Sequence, residues 1–172
     1  MSAVRPVPPP EHDRSFDVPA GVLTELTPLI RRLVAPNPGP FTFTGTCSYI
    51  IGRGKVAILD PGPDDPEHVE ALLNALRGET ITHCVITHTH RDHSPAARDI
   101  AARTGAAIVG CGPHVAARPL GLGEINRLDA SADHGHRPDR ILKDREVLEG
   151  DGWTLKALAT PGHTANHLCF AL

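Results

Sequence analysis

Three histidines and one aspartate lie within six residues, in the sequence H-T-H-R-D-H at positions 88–93. An apolar run typical of a β-strand comes directly before them. Alternate side chains of a strand point to the same side, so His88 and His90 are placed to bind one metal ion together. The chain must then turn, which brings Asp92 and His93 to the other side of the pocket, next to a second ion. The spacing therefore predicts most of a two-metal site in one segment.

The alternative to a metal site is a solvated His-rich turn, or histidines that bond to the backbone. The chain has 11 histidines in 172 residues, and in such a composition the pattern H-x-H-x-D-H is expected by chance in about 0.3% of chains. Because clustered imidazoles are the usual sign of a metal site, the metal interpretation is favoured.

A further candidate ligand, His163, lies in the segment T-P-G-H-T at positions 160–164. A strand is expected to end there, and Pro161-Gly162 to form a sharp turn from which the histidine projects. An isolated loop histidine is more often a surface residue. Together with His88 and His90, however, His163 would complete a set of three imidazoles that leaves one coordination position open for water, as catalytic zinc sites require.

Strands and helices that would position these residues follow from periodicity and turn residues. Cys47–Ile51 is predicted to pair with Lys55–Leu59 across a glycine-containing turn. A helix is predicted to follow, with Asp65 as its N-cap, Pro66 in its first turn and Gly78 at its end. Its core face is predicted from four apolar residues at helical spacing: Val69, Leu72, Leu73 and Leu76.

The strand Ile81–Thr87 is predicted to lead into the histidine cluster. A second helix is expected to start at Ser94-Pro95 and to end at Gly105, followed by the strand Ala106–Gly110. Alternating strands and helices at this spacing are typical of a sheet covered by helices, which is an α/β fold. Residues 112–140 have the composition of a connecting region. Strand patterns return in three segments: Arg140–Leu148, Trp153–Ala159 and His167–Leu172.

The N-terminal part, residues 1–34, is predicted to be a Pro-rich arm followed by a first strand region, and residues 35–172 to form one domain. Val22–Val34 is expected to hold a short strand or turn, interrupted by Pro28. The Pro-rich segment Ala35–Thr46 is either a plain linker or part of the entrance to the site.

Composition narrows the possible functions. A net charge of −3 gives no electrostatic indication of nucleic-acid binding. Neither a secretory signal nor an apolar run long enough to cross a membrane is found, so a cytoplasmic location is expected. The four cysteines form no C-x-x-C pair and are expected to be buried thiols, with disulfides or zinc ligands as the alternatives. Motifs for a nucleophilic serine or a phosphate-binding glycine loop are absent from the sequence.

These motifs resemble the metallo-β-lactamase-fold hydrolases, closer to the glyoxalase II-like and endoribonuclease-like branches than to true β-lactamases. The resemblance covers residues 35–172, and rests on H-T-H-R-D-H, on T-P-G-H-T and on I-L-D-P-G at positions 58–62. It implies an αββα sandwich, of which this chain would hold the first half and the opening strands of the second.

Roles for individual residues follow from the resemblance. It implies that the first metal is bound by His88, His90 and His163, and the second by Asp92 and His93. Asp92 would also orient the attacking hydroxide. Asp60 would support the ligands without binding metal directly, although a plain turn residue is the equal alternative. Zinc is the expected metal, two ions per complete site, with iron or manganese as alternatives.

One departure from the family pattern concerns the C-terminal end of the chain. Family members carry a metal-bridging Asp after the strand that follows T-P-G-H-T, and a later His, and both are absent here. The chain is therefore expected to be either a fragment of a longer protein or a natural truncation with an impaired site. The abrupt end after an apolar strand favours a fragment.

The function predicted from these residues is hydrolysis, by metal-activated water, of an ester, thioester, phosphodiester or related bond in a small molecule. RNA is a further possible substrate that the charge does not indicate. One alternative is an iron-dependent sulfur dioxygenase, since three imidazoles suit iron as well as zinc. Another is a non-catalytic remnant. Two other histidine features receive no catalytic role: His134-Gly135-His136 is interpreted as a solvated loop, and His167 as structural.

Overall fold

Two sheets and two helices make up the parts of the chain that the computed structural model describes, which are residues 15–115, 118, 121, 123 and 131–172. The larger sheet contains, in spatial order, β1 (Thr24–Thr27), β2 (Ile30–Val34), β3 (Cys47–Ile51), β4 (Lys55–Leu59), β5 (Thr80–Ile86), β6 (Ala107–Gly110) and β7 (Arg140–Ile141). The smaller sheet contains β8 (Val147–Glu149), β9 (Thr154–Ala159) and β10 (Leu168–Ala171), with β9 in the middle.

Strand direction changes in the middle of the larger sheet. Strands β1 to β4 are antiparallel neighbours, whereas β4, β5, β6 and β7 run parallel. Helix α1 (Pro66–Ala75) connects β4 to β5, and helix α2 (Ala96–Thr104) connects β5 to β6. Because parallel strands share the direction of their carboxyl ends, the residues that follow β4 and β5 lie at one edge of the sheet.

The smaller sheet and the two helices share one hydrophobic core with the larger sheet. Residues of β4 and β5 are buried on both faces, as expected of parallel strands covered on both sides. Leu155 and Ala157 on β9 join this core, while their neighbours Lys156 and Leu158 are exposed. These layers confirm the α/β sandwich that the sequence predicts.

The two predicted helices are confirmed, with one difference at the end of α1. Asp65 caps α1 by accepting a hydrogen bond from the Glu67 amide (2.9 Å). The helix ends at Leu76, before Gly78, because the Leu76 carbonyl accepts from the Glu79 amide and starts a turn. Gly78 lies inside that turn at φ +91°, a conformation that favours glycine.

The strand predicted over Arg140–Leu148 is wrong. This segment forms two strands in different sheets, β7 beside β6 and β8 beside β9. The residues between them turn, with Arg145 at φ +64° and its amide bonded to the Ala157 carbonyl. An apolar pattern does not reveal such a change of sheet.

The predicted first strand region is a hairpin of β1 and β2, with Pro28 in its turn. The Thr27 hydroxyl accepts from the Ile30 amide (3.0 Å) and stabilises that turn. Strand β2 then pairs with β3 along its whole length. Within the described ranges, no helix combines the length and apolar character that crossing a membrane requires. The cytoplasmic location stays a prediction.

Candidate metal centre

Three imidazoles converge where β5 ends. His88 and His90 are buried in the loop after β5, and His163 projects from the T-P-G-H-T turn between β9 and β10. One ring nitrogen of each lies within 4.8 Å of the others. The Leu168 amide donates to the Thr87 carbonyl (2.9 Å), which joins the start of β10 to the end of β5 and brings the turn over the buried pair.

The donor atoms of this set suit a divalent metal ion. His163 Nε2 lies 2.9 Å from His90 Nδ1. His88 Nε2 is buried and has no hydrogen-bond partner among the described residues. Buried polar atoms are normally bonded, so a nitrogen in this condition has the surroundings of a metal ligand. Three imidazoles around one point also match the ligand number of catalytic zinc sites.

Burial keeps the His88 ring in the form that binds metal. Burial first, and then the charges of His93 and the other nearby imidazoles, lower the pKa of His88 to about 2. Burial also lowers the pKa of His90. Because a metal binds the neutral ring, these two ligands need not lose a proton at neutral pH.

A second group lies beside the first and has a different charge. His93 Nε2 is 3.2 Å from Asp92 Oδ2, and His93 Nδ1 is 3.0 Å from Asp60 Oδ2. Burial alone would lower the pKa of His93, but the two carboxylates outweigh it and raise the pKa to about 10. Burial would raise the pKa of Asp92, yet bonds from His93 and Thr46 hold it at about 2. In the metal-free protein this group is therefore an ion pair.

Asp60 contacts the His93 ring at Nδ1, the nitrogen that does not face Asp92. It follows β4 with φ +51°, and its carboxylate accepts hydrogen bonds from the Thr87 amide (2.8 Å), the Thr87 hydroxyl (2.7 Å) and His93 Nδ1. This leaves His93 Nε2 facing Asp92. The contacts suit a residue that orients a ligand, although Asp60 also lies within reach of His88 and His93 as a candidate donor itself. Its role stays a prediction.

Two residues that the sequence interpretation missed hold Asp92. The Thr46 hydroxyl donates to Asp92 Oδ2 (3.2 Å). Asn37 holds Thr46 in turn: its Oδ1 accepts from the Thr46 amide (2.8 Å), and its Nδ2 donates to the Thr46 hydroxyl (3.1 Å). The sequence placed this segment at the entrance to the site as one of two alternatives, but nothing in it distinguished Asn37 and Thr46 from its other polar residues. The segment Ala35–Thr46 is thus tied to the site and is not a plain linker.

A cavity of about 740 Å³ opens over both groups. Its lining residues come from the segment before β3, the loops after β4 and β5, and the two later loops: Asn37, Phe41, Thr42, Pro63, His90, Arg91, Asp92, His93, Ser131 and His163. Four of the five predicted metal ligands therefore line one space, and the fifth, His88, is buried and is not part of the lining.

The remaining histidine predictions have mixed outcomes. The interpretation of His134-Gly135-His136 as a solvated loop is wrong for His136, which is buried and bonds the Cys111 carbonyl (3.1 Å). His134 is exposed. His167 Nδ1 lies 2.8 Å from the Thr160 hydroxyl, which suits the structural role assigned to it. All four cysteines are free thiols, but the prediction that they are buried holds only for Cys84 and Cys111, since Cys47 is half-buried and Cys169 is exposed.

Comparison with known protein families identifies the one to which this chain belongs. Residues 41–172 match the family model described as the metallo-beta-lactamase superfamily. The chain belongs to this superfamily. Solved metallo-β-lactamases from Legionella gormanii (TM-score 0.64, 18% identity, 90% of this chain and 59% of that one) and Bradyrhizobium japonicum (TM-score 0.63, 20% identity, 86% and 55%) share its fold. These similarities concern the fold alone.

Two other proteins are more similar to this chain in sequence. The chain is 32% identical over 157 residues to an atrochrysone carboxyl ACP thioesterase of Passalora fulva, with 86% of this chain and 40% of that protein covered. It is 30% identical over 151 residues to a protein of the same name from Aspergillus terreus, with 86% and 41% covered. The chain thus spans about two fifths of the length of these relatives. The branch within the superfamily stays a prediction.

Proposed function

We propose that this chain binds one divalent metal ion, supplies two ligands of a second one, and takes part in the hydrolysis of a thioester in a small molecule. The first ion would be bound by His88, His90 and His163, and the second by Asp92 and His93. The observation that carries the proposal is that four of these five donors line one cavity, while the fifth, His88, lies within 4.8 Å of ring nitrogens of His90 and His163. The names of the relatives support a thioester as the bond, among the several that the fold is able to cleave.

A bound zinc ion would lower the pKa of a coordinated water to about 7 and polarise the carbonyl oxygen of the substrate. The side chains of this chain prepare the site for that chemistry. Asp92 is ionised at neutral pH, so it serves as a ligand and hydrogen-bond acceptor rather than as an acid. Thr46 fixes the rotation of its carboxylate, and Asp60 fixes the ring of His93.

The test is metal analysis combined with thiol release on the zinc-loaded chain. We expect at least one tightly bound zinc ion per chain, a weaker second ion because this chain supplies only two of its ligands, and release of a free thiol from an acyl thioester. His90→Ala should lose the first ion and the activity together, because it removes one of three ligands. The matched control is His134→Ala, an exposed histidine outside the cavity, which should retain both.

Three other results would contradict the proposal. Full zinc content in His90→Ala would exclude His90 as a ligand. Iron in the purified chain, with oxygen uptake on a persulfide, would select the sulfur dioxygenase alternative. Weak metal binding, with no turnover above that of free zinc, would select the non-catalytic remnant.

A further inference from the structure

Arg91 lies between two candidate ligands, His90 and Asp92, and lines the cavity. Its backbone amide donates to the Ser131 carbonyl (2.8 Å), and its side-chain Nε donates to the Ala132 carbonyl (3.3 Å). Both bonds run to the same short segment, and the second one orients the side chain towards it. The guanidinium is thus anchored through Nε, while its two terminal nitrogens take no part in the anchor.

The charge of Arg91 is not neutralised by the described part of the chain, in which no carboxylate forms an ion pair with it. Other arginines with structural roles differ in this respect. Arg31 pairs with Glu79 (2.6 Å), and Arg98 pairs with the buried Asp133 (2.7 Å). Among the described residues, the terminal nitrogens of Arg91 thus have no acidic partner that would compete with a ligand in the cavity.

The rest of the cavity lining is chemically different. Phe41 is 91% exposed and lines the space together with Pro63, so part of the wall is apolar. The candidate metal ligands form another part of the wall, and Arg91 forms a third. A molecule that fills the cavity therefore meets an apolar surface, a candidate metal centre and a guanidinium.

We propose that Arg91 binds an anionic group of the substrate, a carboxylate or a phosphate, while the thioester lies at the metal centre. This inference rests on the proposed function and specifies its substrate class. Guanidinium groups bind planar or tetrahedral oxyanions through two parallel hydrogen bonds, and do so better than an ammonium. The anion has two possible sources: a phosphate on the thiol arm, or a carboxylate on the acyl chain.

The experiment compares three thioesters of the same acyl length on the zinc-loaded chain. One is a neutral N-acetylcysteamine thioester, one carries a terminal carboxylate on the acyl group, and one has phosphopantetheine as its thiol arm. Arg91→Gln should raise KM at least about tenfold for an anionic substrate, the typical size of a charged hydrogen bond. KM for the neutral thioester should stay unchanged, and Arg91→Lys should recover part of the loss.

The matched control is Arg77→Gln. Arg77 lies after α1, at the edge of the sheet opposite to the cavity, where it bonds only Asn74 among the described residues. This variant should leave all three KM values unchanged. A rise in KM confined to the phosphopantetheine thioester assigns the phosphate, and a rise confined to the carboxylated one assigns the carboxylate. Equal effects of Arg91→Gln on all three substrates, or no effect, would overturn the inference.

A binding measurement separates this inference from the proposed function. If the wild-type chain cleaves none of the thioesters, the proposed function fails, and calorimetric binding of the free thiol phosphopantetheine and of a dicarboxylate then tests Arg91 alone. We expect Arg91→Gln to weaken the binding of one of them at least about tenfold. Unchanged binding of both, with an unchanged Tm, would refute the role of Arg91.

Discussion

The two candidate metal groups lie side by side but are prepared for metal in opposite ways. His88, His90 and His163 form a set without a carboxylate, in which burial holds His88 and His90 towards the neutral form. His93, by contrast, lies between the carboxylates of Asp92 and Asp60, which raise its pKa to about 10. His88 and His90 can therefore bind an ion without losing a proton, whereas His93 must lose one before it binds. Two neighbouring sites in one cavity thus differ in how strongly protons compete with metal.

The largest expected effect comes from His88→Ala. Removing a residue that only hydrogen-bonds to a metal ligand lowers metal affinity about ten- to hundredfold. Removing a buried ligand itself should therefore lower the affinity more than about a hundredfold. His93→Ala should weaken only the second ion. Zinc titration against a chromophoric chelator measures both affinities.

His88→Ala and His93→Ala should therefore give different patterns of zinc loss. Identical patterns in the two variants would mean that the groups do not bind metal separately. Circular dichroism of both variants checks that the loss is not caused by unfolding.

The pH dependence of stability in the metal-free chain should reflect His93. Its folded pKa of about 10 lies above the ordinary value of about 6.5, so it contributes stability that is fully present below pH 6.5. This contribution is lost as the pH rises towards 10, with a slope of at most about 1.4 kcal/mol per pH unit for one proton. Denaturant unfolding at pH 7, 8, 9 and 10 measures the slope.

Asp60→Asn removes one of the two charges that raise the pKa of His93, so it should flatten that slope. Bound zinc should flatten it too, because a metal replaces the proton. A slope unchanged in Asp60→Asn would contradict the pairing of His93 with Asp60.

The smallest of these effects is expected for Thr46→Val, which keeps the shape of the side chain and removes the hydroxyl bond to Asp92. We expect kcat to fall about tenfold, at the low end for a group that orients a ligand, with KM and zinc content unchanged. Thr46→Ser should restore activity because it keeps the hydroxyl. A matched fall in zinc content would instead show that Thr46 acts through the metal affinity of Asp92 and not on the catalytic step.

The sequence interpretation succeeded where the relevant distance along the chain is short. The ligand spacing in H-T-H-R-D-H follows from the alternation of a strand and one turn, and the end of α2 at Gly105 follows from its left-handed conformation. Contacts between residues far apart in the sequence could not be predicted from local spacing. The bond from Thr46 to Asp92 depends on how a loop folds back over the sheet, and the burial of His136 depends on its contact with Cys111.

The backbone bond between Leu168 and Thr87 has a consequence for the whole chain. It helps to bring together two rings, His90 and His163, that lie 73 positions apart in sequence. Closing a flexible loop of that length costs roughly 4 kcal/mol of chain entropy. An ion bound by both rings would link the two sheets, because the smaller sheet could not separate from the larger one without breaking a coordination bond. The energy that binds the ion would then also help to keep the layers of the fold together.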